Sequence, residues 1–118
     1  LRNISFMNIS NLEDYNDYFD CIIMYFALND LAMHNIKELL NFLKKVLKNR
    51  KKLIIVDYNK IKCRFKNYIY KLYLLIFKRK RLEFIKYDLI NTLFILGYQN
   101  ITLNEFDGVK LISCYNAK

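Results

Sequence analysis

The sequence predicts an α/β layer architecture: a mostly parallel sheet with an antiparallel C-terminal β-hairpin, and helices on both faces. Three observations predict it. "DCIIMYFAL" (20–28) is nearly continuous apolar sequence, as expected of a strand covered on both faces in a parallel sheet. "LLNFLKKVLKNRKKLIIVDYNK" (39–60) passes from an apolar-striped helix through a basic turn into a second buried-looking strand that ends in Asp57. Near the C-terminus, "NITLNEF" and "VKLISCY" flank Asp107-Gly108, a dipeptide that favours a type I′ hairpin turn.

Taken in order, "ISFMN" (4–8) is a short strand candidate, and "NLEDYNDY" (11–18) is acidic and turn-like. The strand over 20–28 follows. From 35 to 48 the apolar positions Ile36, Leu39, Leu40, Leu43, Val46 and Leu47 recur at helical spacing, leaving the intervening lysines for solvent. Asn35 is the expected N-cap, and the lysines of the last turn complement the helix dipole. "KLIIVDY" (52–58) is the next strand, and strand, helix, strand with short joints makes a βαβ unit. Residues 61–81 form a helix whose second half is apolar nearly all round and which ends in four consecutive basic residues. Another helix is expected over 84–96, with Gly97 at its C-terminal cap.

The length, 118 residues, bounds the chain at one domain, and a hydrophobic fraction of 54% suffices for a core. No apolar run reaches the length of a membrane span, and no signal-peptide pattern opens the sequence. It opens on Leu1 rather than Met, as a processed, trimmed or fragmentary product would. Three cysteines (Cys21, Cys63 and Cys114) without C-x-x-C spacing, and a single histidine, His34, read as reduced thiols with no metal site. No histidine adjoins a cysteine in the sequence, so thiol chemistry is not expected either. The net charge of +9 is concentrated between residues 44 and 86, a belt suited to an anionic surface. The abundance of Lys, Asn, Ile and Tyr also suggests an AT-rich genome, which raises lysine content without functional demand.

Three stretches resemble the later half of the class I S-adenosylmethionine-dependent methyltransferases. "YFDCIIMYFALNDL" resembles the family's fourth strand with its Leu-His-His-like ending. "IKELLNFLKKVLKNRKKLIIVDY" resembles the next helix and fifth strand, and "LINTLFILGYQNITLNEFDGVKLISCYN" resembles the closing helix and the last two strands. The matches cover residues 19–58 and 84–116 in the family's order. "FMNIS" (6–10) is similar to the end of the third strand, where Asn8 stands in place of an Asp that bonds the adenine amine. The resemblance thus implies a partial Rossmann-like methyltransferase sheet over residues 1–118, beginning at strand three. It departs from the family in two ways. Asn49-Arg50-Lys51 replaces a Pro-Gly-Gly turn, Asn49 being the residue that tolerates left-handed backbone. The glycine-rich loop and the acidic residue of strand two, which cradle the cofactor, have no counterpart. The strand-four edge is then expected to be exposed, so that a partner chain or self-association completes the sheet.

The resemblance implies S-adenosylmethionine as cofactor. Met24, Tyr25, Phe26 and Asn29, at the carboxyl end of the fourth strand, together with Asn8, are the candidate cofactor contacts. Asp57 and Tyr58, ending the fifth strand, are the candidate substrate contacts. Each has a plainer reading, as core aromatic or turn residue. Methyl transfer from a sulfonium is an in-line displacement dominated by positioning, so no catalytic residue is named. The helix over 61–81 is read as a substrate lid or a membrane-surface helix, because aromatics, aliphatics and basic ends occur together in it. It suits a small lipophilic substrate such as a quinone precursor, in keeping with a faint similarity to the quinone-modifying branch. The expected location is cytoplasm or an organelle matrix with peripheral membrane contact. "KNRKK" and "KRKR" carry charge but no RNA-binding motif, so nucleic acid is not expected as partner. The opposing reading is a non-catalytic remnant or interaction subunit that keeps the sheet but does not bind cofactor on its own.

Overall fold

The period-two strands and the helix between them set the frame. A computed structural model describes residues 16–118; the expected strand over 4–8 and Asn8 lie outside these residues. The element order is β1 (Phe19–Tyr25), α1 (Met33–Val46), β2 (Leu47–Tyr58), α2 (Arg64–Phe77), α3 (Arg79–Lys86), α4 (Leu89–Ile95), β3 (Gln99–Phe106) and β4 (Val109–Tyr115). The α/β class is as the sequence predicts. The four strands lie in the order β1-β2-β4-β3. β1 pairs parallel with β2, whereas β4 runs antiparallel to both β2 and β3. The sheet is therefore mixed rather than mostly parallel by pairing, for a simple reason. The final hairpin inserts its last strand between β2 and β3, so one reversed strand generates both antiparallel ladders.

Side chains alternate across these strands, and the alternation separates the faces. Leu53, Ile55 and Asp57 of β2, Met24 of β1, and Lys110, Ile112 and Cys114 of β4 are all buried. The apolar members of this row pack against Ile36, Leu40 and Leu43 of α1 and against Phe84, Leu89 and Leu93 of α3 and α4. Each fully buried Leu or Phe of such a core contributes about 2 kcal/mol. The opposite face carries Ile23, Tyr25, Ile54, Val56 and Leu111, which are half-buried or exposed among the described residues. No residue of that face belongs to the buried core.

Several boundaries differ from those predicted. α1 starts earlier, with Ala32 rather than Asn35 as N-cap and without a capping side chain. The basic turn is part of β2: β2 advances from Leu47 to Lys52 while β1 advances only from Phe19 to Cys21. Arg50, not Asn49, takes the left-handed backbone there (φ 63°). The single helix over 61–81 breaks at Lys78 (φ −140°, ψ 61°). The change of direction there lets Leu82 and Phe84 reach the core. The helix over 84–96 likewise divides at Asp88, whose carboxylate accepts from the Asn91 amide at 3.0 Å and starts α4. Gly97 (φ 95°) does end α4, with Gly97 N–H to Phe94 O and Tyr98 N–H to Leu93 O, both at 3.1 Å, in a Schellman arrangement. In the hairpin's two-residue turn Gly108 has positive φ but Asp107 does not, so the turn is not type I′.

With no glycine at its own C-terminus, α1 draws on distant donors. The Asn116 amide donates to Lys44 O (3.0 Å) and Leu47 O (2.7 Å). The backbone amides of Asp17 and Tyr18 donate to Lys45 O and Val46 O at 2.8 and 2.9 Å. The terminal carbonyls that a helix leaves open are thus satisfied from both ends of the described chain. Replacing Asn116 with Ala should cost about 2 kcal/mol of stability, read as a lowered urea midpoint with an unchanged m-value.

Candidate functional site

The carboxyl ends of the parallel pair β1 and β2 meet at Asp57. The side chain is fully buried, and its carboxylate accepts from Leu28 N–H at 3.0 Å, the Asn29 amide at 3.1 Å and its own neighbour's Tyr58 N–H at 2.8 Å. Burial pushes its pKa up, and these three donors and the charge of Lys110 work against that shift. Lys110 stands opposite Asp57 in the β2–β4 ladder and is itself buried. Desolvation holds its pKa below the usual lysine value, opposed by Asp57, Glu105 and Asp88. Its ammonium lies 4.7 Å from the Phe84 ring centroid.

The segment after β1 is shaped by these contacts. Phe26 takes a left-handed backbone (φ 52°) and donates its amide to Val56 O at 2.8 Å. Asn29, also buried, donates to Phe26 O (3.0 Å) as well as to Asp57, while its Oδ1 accepts from Arg81 Nε at 3.3 Å. The carboxylate and the carbonyl require the amide nitrogen on one side, which leaves the oxygen for the arginine. The Arg81 guanidinium lies 3.9 Å from the centroid of the Tyr58 ring, a contact worth about 1 kcal/mol. Tyr58 packs on Phe26 (4.7 Å between centroids), and Phe26 meets Tyr25 edge-to-face at 4.6 Å. Tyr70 of α2 also hydrogen-bonds Arg81; its pKa is raised, mainly by burial.

Phe26, Asn29, Asp57 and Tyr58 are therefore brought into one contact network, with Tyr25 exposed at its margin. Met24 points the other way, into the core beneath α1. Arg81, Tyr70 and Lys110 were not singled out from the sequence. Arg81 is one of four adjacent basic residues, and Lys110 shares a strand face with Ile112 and Cys114 in "VKLISCY", where Val109, Leu111 and Tyr115 make the other face equally apolar, so alternation does not say which face is inward. Asn29 has both side-chain atoms engaged within the protein, so its part is to fix the loop. The exposed ring of Tyr25 with Phe26 behind it presents an aromatic surface at this end of the sheet. Two cavities, about 680 and 220 Å³, lie elsewhere: the larger between α4 and the start of β3, the smaller beside Lys110. The Cys114 thiol, buried in the core, is pushed up to about 12, while Cys21 and Cys63 are exposed.

No family model and no curated protein sequence matches the chain. Solved structures do match. An S-adenosylmethionine-dependent methyltransferase from Archaeoglobus fulgidus superposes with a TM-score of 0.67 at 13% identity, over 95% of this chain and 66% of its own. An O-methyltransferase family protein from Burkholderia thailandensis gives 0.64 at 10% identity, covering 94% and 33%. Human N-acetylserotonin methyltransferase, in complex with S-adenosylmethionine, gives 0.60 at 13% identity, covering 84% and 30%. The chain thus has a methyltransferase-like fold and spans between about a third and two thirds of the length of these proteins.

The sign of the Asp57 shift makes a prediction. The folded state holds this proton more tightly than the unfolded chain, so the carboxyl costs stability as pH rises from the ordinary carboxylate range through its raised native value. Below that range both states are protonated and the effect vanishes. Relative to Asp57→Asn, the parent protein should lose stability over that rise, measured by urea unfolding at a series of pH values. Asp57→Ala, which strands the Leu28 and Tyr58 amides, should cost about 3 kcal/mol below the window and progressively less as pH rises through it.

Proposed function

We propose that this chain is the later portion of an S-adenosylmethionine-dependent methyltransferase domain acting on a small lipophilic molecule such as a quinone precursor. The observation that carries the reading is the strand order β1-β2-β4-β3 with β4 alone reversed, together with an aromatic loop at the carboxyl ends of the parallel pair. Ligands of open α/β sheets bind at those ends. The likeness to the Archaeoglobus fulgidus and human enzymes supports the same reading. When bound, S-adenosylmethionine supplies an electrophilic methyl group on a sulfonium.

The residues of this chain would contribute position and exclusion of water. Tyr25 and Phe26 form a wall for the adenine ring, and Met24 supports that wall from the core side. Asn29 and Asp57 lock the backbone that presents it, and Tyr58, clamped by Arg81, faces the substrate side. α2 follows β2 directly, and its exposed aromatic and aliphatic residues favour an acceptor met at a lipid surface. Asn8 completes the adenine contacts in this reading.

The second reading, a non-catalytic remnant or interaction subunit, is favoured by one observation. Asn29 and Asp57 are satisfied within the protein, and only the aromatic wall is free to meet a cofactor. Calorimetric titration with S-adenosylhomocysteine separates the two, with circular dichroism confirming the fold. Saturable binding that weakens about tenfold in Tyr25→Ala, the value of one aromatic contact, supports the methyltransferase reading. A folded chain that takes up no ligand is the non-catalytic form or holds only half of a site.

A further inference from the structure

The orientation of α2 is the reverse of an ordinary surface helix. Its non-exposed residues, Asn67, Tyr70 and Leu74, recur three and four apart and face the domain, and two of them are polar. Asn67 Oδ1 accepts from the Ile61 amide at 3.0 Å, and Tyr70 is engaged by Arg81. The stripe at four, three and four, Phe65, Ile69, Leu72 and Ile76, lies on the opposite side of the helix. These residues are 72, 51, 44 and 71% exposed. A helix packed only to serve its own domain would bury that stripe.

The charge around the stripe is of one sign. No Asp or Glu occurs between Tyr58 and Leu82. Arg64 and Lys71 flank the stripe on one side and Lys66 on the other, while exposed Lys78, Arg79 and Lys80 follow its C-terminal end. Tyr68 and Tyr73, at the margins, have apolar rings and polar tips suited to a boundary between lipid and water. No described helix is long and apolar enough to cross a membrane. An apolar stripe edged by cations on both flanks matches a planar anionic surface into which a helix sinks its side chains without spanning it.

We infer that α2 docks on the anionic surface of a lipid bilayer, with Phe65, Ile69, Leu72 and Ile76 inserted among the acyl chains and the flanking Lys and Arg residues at the headgroups. The helix then lies flat on the bilayer. The bend at Lys78 carries the chain from the lipid to Arg81, which touches both Asn29 and Tyr58. The docking surface does not depend on cofactor binding.

The test is sedimentation of the chain with vesicles of phosphatidylcholine alone and of phosphatidylcholine mixed with phosphatidylserine, without cofactor. The expected result is binding to the mixed vesicles that weakens with salt and exceeds binding to phosphatidylcholine by about fivefold for each basic residue engaged. Ile69→Glu combined with Ile76→Glu should reduce it at least tenfold, or about 1.4 kcal/mol, with an unchanged circular dichroism spectrum. Both side chains are exposed, so the fold is not at stake. The inference is overturned if the mixed vesicles capture no protein, if the two lipids bind equally, or if the double variant binds as the parent does. A concentration-dependent dimer that occludes the stripe and blocks vesicle capture would overturn it in favour of a second copy. Because cofactor titration of the double variant reads the other site, failure here and failure of the methyltransferase reading are distinguishable.

Discussion

The carboxylate of Asp57 is the constraint on which the carboxyl end of the sheet depends. A carboxylate taken out of water persists only where fixed donors replace its hydration. Here those donors are the Leu28 and Tyr58 amides and the Asn29 side chain, so meeting the requirement ties the loop after β1 to the end of β2. The left-handed backbone at Phe26 costs about 1 kcal/mol or more for a residue of that bulk. It is held by the Val56 hydrogen bond and the ring packing on Tyr58. Asn29 then presents an oxygen to Arg81, and Arg81 fixes α3 against the same end of the sheet. The aromatic wall and the seat of α3 both follow from one buried acid.

At the other end of the sheet the structure solves a different difficulty with different means. A chain with only two glycines cannot end each helix on one. Gly97 serves α4, and a Cβ there would lie 2.9 Å from Lys44 Nζ, which donates to Leu96 O. α1 has no such residue, and the Asn116 side chain with the amides of 17 and 18 takes the role. The end of α1 is thus formed only when the last strand has entered between β2 and β3, which makes this terminus dependent on tertiary structure rather than on local sequence.

This distinction also explains which features were legible in the sequence. The strands over 20–28 and 52–58, the helix spaced from Ile36 to Val46, and Gly97 as a cap were readable because period and turn chemistry are local. Leu47, placed on the helical stripe by spacing, instead opens β2, because pairing with Phe19 and the donated amides override the period. The break at Lys78 was hidden for the same reason: it exists to send Leu82 and Phe84 into the core, and only the fold states where the core is. Among the candidate site residues, Phe26, Asn29, Asp57 and Tyr58 could be placed at one sheet end from strand ends alone. That Asn29 and Asp57 satisfy each other, and that an arginine more than fifty positions on closes the set, could not. Those are contacts between distant segments with no spacing to betray them.

The two faces of the sheet bear on how the site is completed. One face carries a core formed with α1, α3 and α4; the other presents Ile23, Ile54, Val56 and Leu111, apolar residues without a packed layer among the described residues. An apolar face of this extent is a surface built to be covered. The sequence suggested that an unsatisfied strand edge would be the feature demanding a partner. The face demands more, since its requirement is burial of side chains across three strands rather than pairing along one. Tyr25 belongs to this face and to the aromatic wall at once. Whatever layer covers Ile23 and Val56 must therefore stop short of Tyr25 or include it, so covering the sheet also shapes the aromatic wall.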